Sequence, residues 1–162
     1  MSHRVLWAPW RMTYVEGNAP RRGGCIFCDL PVEGDPRENL VLHADEHAVV
    51  MLNRYPYNSG HLMVAPRRHV ADPLELPDDA WTALMDHVRR GMAALRETFR
   101  PEGMNVGANL GTAAGAGIAA HLHWHLVPRW SGDTNFMPVV GEVKVIPQHL
   151  LDTYDLLKRH YT

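Results

Sequence analysis

Cysteine is scarce in this chain: there are two in 162 residues, and both fall in the single segment Cys25-Ile26-Phe27-Cys28. A disulfide framework is thereby excluded, and a Cys-x-x-Cys pair reads as half a metal site or as a redox motif. Long apolar runs are also missing. No stretch of 18 or more apolar residues occurs, and Met1-Ser2-His3-Arg4-Val5-Leu6-Trp7 has no apolar signal core, so a cytoplasmic protein with no membrane partner is expected. Charge of one sign is lacking as well. Lys and Arg number 16 against 18 Asp and Glu, a formal net charge of −2, which argues against a nucleic-acid surface and requires an acidic substrate to be held by local features.

Histidine, by contrast, is plentiful at 11 residues, and three alternate with large apolar side chains in His121-Leu122-His123-Trp124-His125-Leu126-Val127-Pro128-Arg129-Trp130. Alternation is the period of a β-strand, which predicts His121, His123 and His125 on one face and Leu122, Trp124 and Leu126 on the other. Same-face neighbours on a strand stand roughly 6–7 Å apart, close enough to share one ligand. Near neutral pH an imidazole serves as nucleophile, general acid, oxyanion donor or metal ligand. This row is the predicted chemical centre.

The rest of the chain arranges itself around that row. Residues 1–24, with Trp7-Ala8-Pro9-Trp10-Arg11, lack a period and read as an arm laid over the body or over a partner subunit. Short strands are predicted at 40–43, 48–53 and 61–66, separated by polar and Pro/Gly turns. Trp81, Leu84, Met85, Val88, Met92, Leu95 and Phe99 follow helical spacing from about Pro77, with Asp78-Asp79 at the start and Pro101 past the end. These apolar residues are expected in the core. A strand at 103–109 runs into a Gly/Ala-rich loop at 110–120, where backbone amides can approach an anion closely. A short helix is predicted over 147–158, with Leu150, Leu151, Tyr154, Leu157 and His149 as its buried stripe. The class is α+β: an antiparallel sheet with one long helix packed across it and a short C-terminal helix, in a single domain spanning 1–162.

His121-Leu122-His123-Trp124-His125-Leu126-Val127 resembles the signature of the histidine triad (HIT) superfamily of nucleotidyl hydrolases and transferases. Cys25-Ile26-Phe27-Cys28, the Leu52-Asn53 strand end, Gly60-His61-Leu62-Met63-Val64-Ala65-Pro66-Arg67-Arg68-His69 and Asn109-Leu110-Gly111 extend the likeness over roughly 25–130. Residues 131–162 would then be a C-terminal extension. The segments Leu6-Trp7-Ala8-Pro9-Trp10-Arg11 and Pro128-Arg129-Trp130-Ser131-Gly132-Asp133-Thr134-Asn135-Phe136 resemble the bacterial branch that includes mycobacterial-type diadenosine tetraphosphate phosphorylases.

That resemblance implies an enzyme cleaving dinucleoside polyphosphates through a nucleotidyl-histidine intermediate. His123 would be the nucleophile, with His125 binding a phosphate oxygen or protonating the leaving group and His121 completing the triad. For the nucleotide it implies Asn53 at a ribose hydroxyl, His61 lining the site, and Asn109 with the Gly117-Ile118 amides at the α-phosphate. Ile26, Phe27, Met51 and Met63 would form the slot for the base. It further implies structural zinc on Cys25, Cys28, His69 and His121, and a homodimer with the long helix and adjacent strand as interface. Two departures stand out: Gly117-Ile118 supplies no side-chain donor to phosphate, and Asn109 lies about one residue further from His121 than the pattern leads one to expect. Other uses of the same chemistry are a dinucleoside polyphosphate or nucleoside phosphoramidate hydrolase and a sugar-phosphate nucleotidyltransferase. A nucleotide-binding module without turnover is the alternative outside enzymes.

Overall fold

The structure is a computed structural model that describes residues 24–133 and 148–162. The Trp-rich arm before Gly24, the end of the turn after Trp130 and the start of the expected C-terminal helix lie outside the described residues. In chain order the elements are α1 (Ile26–Asp29), β1 (Val41–Ala44), β2 (Ala48–Leu52) and β3 (Leu62–Pro66). They are followed by α2 (Asp78–Phe99), β4 (Gly103–Ala108), β5 (Trp124–Arg129) and α3 (Leu150–Lys158). The strands form one sheet in the order β1-β2-β3-β5-β4, antiparallel at every pairing. The α+β class expected from the sequence is what is observed.

Every residue of β2 and β3 is buried. Side chains alternate across a sheet, so two unbroken apolar strands require cover on both faces. One face, carrying Val50, Leu52, Leu62, Val64 and Leu126, packs under α2 through Leu84, Val88 and Leu95. The other, carrying Val49, Met51, Met63 and Ala65, packs around Phe27 of α1. Asp78 and Asp79 sit in the first turn of α2, where the helix dipole favours negative charge. Arg100 ends that helix in the left-handed conformation at φ 47°, just before Pro101. Gly91, in mid-helix, brings α2 close to β5: a Cβ there would sit 3.0 Å from Leu126 Cδ2.

Two expectations need correction. The strand read from the histidine alternation begins only at Trp124. β3 reaches Pro66, which has no amide hydrogen to give, and the Leu122 amide instead donates to the Val70 carbonyl at 2.6 Å. The facial division survives without the ladder, since Leu122 and Leu126 both join the core under α2. The second correction concerns His149. It is exposed and caps α3, its ring accepting from the Leu151 amide at 3.2 Å, whereas Tyr154 and Leu157 are buried as expected. A ring nitrogen that satisfies an orphan helix amide cannot also lie in the apolar stripe.

Candidate active site and metal cluster

His125 sits in β5 opposite Met63 of β3, on the sheet face away from α2. Its ring centroid is 4.8 Å from that of His123 and 5.1 Å from that of His61. Phe27 touches the other end of the row, with its ring 4.9 Å from His123 and 5.2 Å from His121. Beyond His61, Tyr57 stacks at 4.9 Å. Ring contacts therefore join His123, His125 and His61 in one row, and Phe27 bridges His123 to His121, although of the triad only His125 is held by strand pairing.

Carbonyl oxygens and amide hydrogens next to the row fix where its protons are. A carbonyl can only accept, so His123 Nδ1, 2.8 Å from the His121 oxygen, carries the hydrogen and donates. Its Nε2 keeps a bare lone pair. Burial lowers the His123 pKa from its usual value, which holds that ring neutral. At His61, Nδ1 accepts from the Tyr57 amide at 3.1 Å, which puts the hydrogen of the neutral ring on Nε2. That hydrogen is directed at His125 Nδ1, 2.9 Å away, so His125 carries its own proton on Nε2. One member of the row thus offers a lone pair and its neighbour an N–H.

The residues expected around a nucleotide are distributed less evenly. Asn53, half-buried at the end of β2, accepts from the Tyr55 amide at 2.9 Å and gives its own amide to the His61 carbonyl. Asn109, half-buried, follows β4. Gly117 is exposed, and Ile118 packs against the Phe27 cluster. Phe27 and Met51 are themselves core, at 0% and 3% exposure, so accessible apolar surface there comes from the half-buried Ile26 and Ile118. The sequence missed Tyr57, because a tyrosine in a Pro/Asn/Ser turn looks like turn chemistry. It also missed Asn58, whose amide bridges the Pro128 carbonyl at 3.1 Å and Asp133 at 2.8 Å. Asp133 in turn takes Arg129 Nε at 2.6 Å, which pins the exit of β5.

Cys25, Cys28, His69 and His121 come together as a second group, sharing His121 with the triad, whose ligand atoms all lie within 4.8 Å. Cys25 Sγ is 3.2 Å from His121 Nδ1, Cys28 Sγ is 3.3 Å from His69 Nδ1, and the two Nδ1 atoms are 3.2 Å apart. Tetrahedral zinc holds sulfur at about 2.3 Å and nitrogen at about 2.0–2.1 Å, which sets ligand atoms roughly this far from one another. The tautomer agrees: His121 Nε2 donates to the Pro66 carbonyl at 2.8 Å, leaving the Nδ1 lone pair facing the thiols. Burial, the largest effect, lowers the His121 pKa, so this ring is neutral as a ligand must be. Burial and then Cys25 push the Cys28 thiol up to about 11, and a bound cation is what converts such a thiol to thiolate. The donor set fits zinc.

A family model described as the HIT domain matches residues 36–132. The AP-4-A phosphorylase of Mycobacterium tuberculosis is 42% identical over 159 residues, covering 94% of this chain and 81% of that protein. An uncharacterized HIT-like protein of Saccharolobus solfataricus is 33% identical over 113 residues, or 70% of this chain and 79% of its own. Among solved structures, a hypothetical histidine triad nucleotide-binding protein from Sulfolobus tokodaii superposes with a TM-score of 0.63 at 26% identity, covering 85% of this chain and 89% of that one. A zinc-bound histidine triad family protein from Mycobacterium smegmatis gives a TM-score of 0.60 at 25% identity over 75% of this chain and 83% of its own.

Proposed function

This chain belongs to the HIT domain family, and from that premise we propose that it is an enzyme acting on phosphoric anhydrides, cleaving dinucleoside polyphosphates by phosphorolysis. The mechanism rests on the His123 hydrogen bond to the His121 carbonyl, which leaves Nε2 with a lone pair to donate. His123 Nε2 attacks the α-phosphorus, and the P–O bond to the departing nucleoside polyphosphate breaks. The His125 Nε2 hydrogen, placed there by His61, stays on the ring and hydrogen-bonds the leaving oxygen as its charge develops. Inorganic phosphate then attacks the nucleotidyl-imidazole and releases a nucleoside diphosphate, restoring His123. Splitting one displacement into two easier ones is what a covalent histidine provides.

Asn53, Asn109 and the Gly117-Ile118 amides are assigned to the nucleotide, with Ile26, Phe27 and Met51 behind its base and His61, fully buried, serving the nucleotide site through His125. Backbone donors suffice for phosphoryl transfer, where positioning and charge stabilisation dominate. Zinc on Cys25, Cys28, His69 and His121 would be structural, a closed four-ligand site that supplies no open position for chemistry. Through His121 it would brace the carbonyl that orients His123. We further assign a homodimer through α2 and β4, supported by the exposed edge of β4, where Val106 is 40% accessible, and by Leu110 just beyond it at 49%. A cytoplasmic setting with no membrane or nucleic-acid partner completes the proposal, as does a single domain with arm 1–24 and extension 131–162. No helix among the described residues is long and apolar enough to cross a membrane.

Incubation with diadenosine tetraphosphate, with and without phosphate, tests the reaction. ADP plus ATP is expected when phosphate is present. AMP plus ATP alone would replace phosphorolysis by hydrolysis, and binding without turnover would reduce the chain to a nucleotide-binding module. His123→Asn should lower kcat by about 10³-fold or more with the fold intact, since loss of a nucleophile removes the covalent route.

A further inference from the structure

A second cluster of ligand-type side chains lies on the sheet face covered by α2, opposite the imidazole row. His43 belongs to β1, Asp45 to the turn after it and His87 to α2. The register of β1 on β2 slips between Val41, paired with Met51, and His43, paired with Val50. Such a bulge re-aims a side chain. Strict alternation would leave His43 on the face of Val41, whereas its ring lies 5.3 Å from that of His87. Asp45 is anchored through one oxygen: Oδ1 accepts the amides of His47 and Ala48, both at 2.9 Å. The other oxygen, Oδ2, meets His43 Nε2 at 3.2 Å and His87 Nε2 at 2.9 Å. All three ligand atoms lie within 4.8 Å of one another.

We propose that His43, Asp45 and His87 form a second metal site, for a divalent ion of the zinc, cobalt and nickel class. Two imidazoles and one carboxylate, with no thiolate, are the donors that class takes, and three protein ligands leave the remaining positions to water. The carboxylate is already oriented by backbone amides, as ligands of a built site are by their outer partners. His87 Nδ1 is buried without a hydrogen-bond partner among the described residues, so moving its proton to free Nε2 breaks nothing on that side of the ring. Arg90, whose charge opposes a cation, is itself engaged by the His160 carbonyl at 2.6 Å and by the Tyr161 ring at 4.7 Å. Solvent reaches the cluster, whose His43, Asp45 and His87 side chains are 24%, 34% and 12% exposed. A bound ion clasps the β1–β2 turn to α2, so it adds stability and leaves the chemistry of the row untouched.

The test uses whole protein given one equivalent of zinc, desalted, then titrated with cobalt(II). One further equivalent is expected, with a d–d spectrum that lacks thiolate charge transfer. Paramagnetic broadening in amide NMR spectra of the wild type should centre on residues 43–48 and 84–91. His87→Ala should weaken this binding by about tenfold or more, while Cys25→Ser leaves it in place. No second equivalent, broadening centred elsewhere, or binding indifferent to His87→Ala overturns the proposal. If His87→Ala does not fold, the wild-type broadening map decides alone.

Discussion

His61 Nε2 stands 2.9 Å from His125 Nδ1, and the Tyr57 amide occupies the other nitrogen of His61 at 3.1 Å. A backbone amide in a turn therefore dictates, through two rings, that His125 presents an N–H to whatever lies in front of it. His61 is a positioning residue: fully buried, it acts through His125. His61→Ala is expected to lower kcat by about 10²-fold, the scale of a misdirected hydrogen-bond donor to the transition state, with KM nearly unchanged. His61→Gln, which can accept and donate in line, should recover part of the loss. A purely structural role would lower the melting temperature in both variants and give no difference in kcat between them.

Loss of the zinc proposed for Cys25, Cys28, His69 and His121 should loosen the fold before it touches the chemistry. His69 is exposed, so His69→Ala removes a ligand without emptying core volume. The expected result is loss of zinc from the purified protein and a fall in melting temperature of about 10 °C or more, because ligand binding is coupled to folding. Chelation of the wild type should reproduce the shift. Unchanged metal content together with an unchanged melting temperature in His69→Ala would remove zinc from this account.

How far the sequence disclosed this arrangement differs from element to element. β2, β3 and α2 were legible to within a residue or two, because an unbroken apolar run and a 3.6-residue period are written locally. The start of β5 was not, since histidines continue the alternation past the point where Pro66 ends the ladder. The proton positions were illegible for a similar reason. They depend on the His121 and Pro66 carbonyls and the Tyr57 amide, which no side-chain pattern announces. Cys25, Cys28, His69 and His121 were assembled by resemblance, and the chain separation of 93 residues between Cys28 and His121 shows why spacing alone would not do it. His43 and His87 escaped entirely, because a bulge puts His43 on the face that alternation denies it.

Gly60 couples the fold to the row. It has φ +78°, and a Cβ would sit 3.1 Å from Phe99 Cε2 and 3.2 Å from Leu95 Cδ2. Both obstacles belong to α2, and the next residue is His61. Gly60→Ala should cost about 1–3 kcal/mol in denaturant unfolding, from left-handed strain and overpacking together. Activity should fall further than the folded fraction, as His61 is displaced from His125. Gly103→Ala is the control, since its added methyl meets only Arg129 Cβ at 4.0 Å. Equal stability for the two variants would remove the steric argument.

Tyr161 gives the pH prediction. Its ring is 6% exposed and its hydroxyl, buried, has no hydrogen-bond partner among the described residues. Burial, only partly offset by Arg90, pushes its pKa up to about 12. The folded state thus keeps a proton that the unfolded chain releases near pH 10, so this group imposes no pH dependence below about 10. Above that, the unfolded state is favoured increasingly until the folded pKa is reached, at a total cost of roughly 2–3 kcal/mol. Tyr161→Phe should flatten that alkaline decline. At neutral pH it should leave stability unchanged or raise it by up to about 1 kcal/mol, because it removes a hydroxyl that was desolvated without compensation. Urea unfolding of both proteins at neutral pH and across the alkaline range measures both effects. A loss of more than about 1 kcal/mol at neutral pH would mean that the hydroxyl makes a hydrogen bond after all, and the assigned cause of the raised pKa would fail with it.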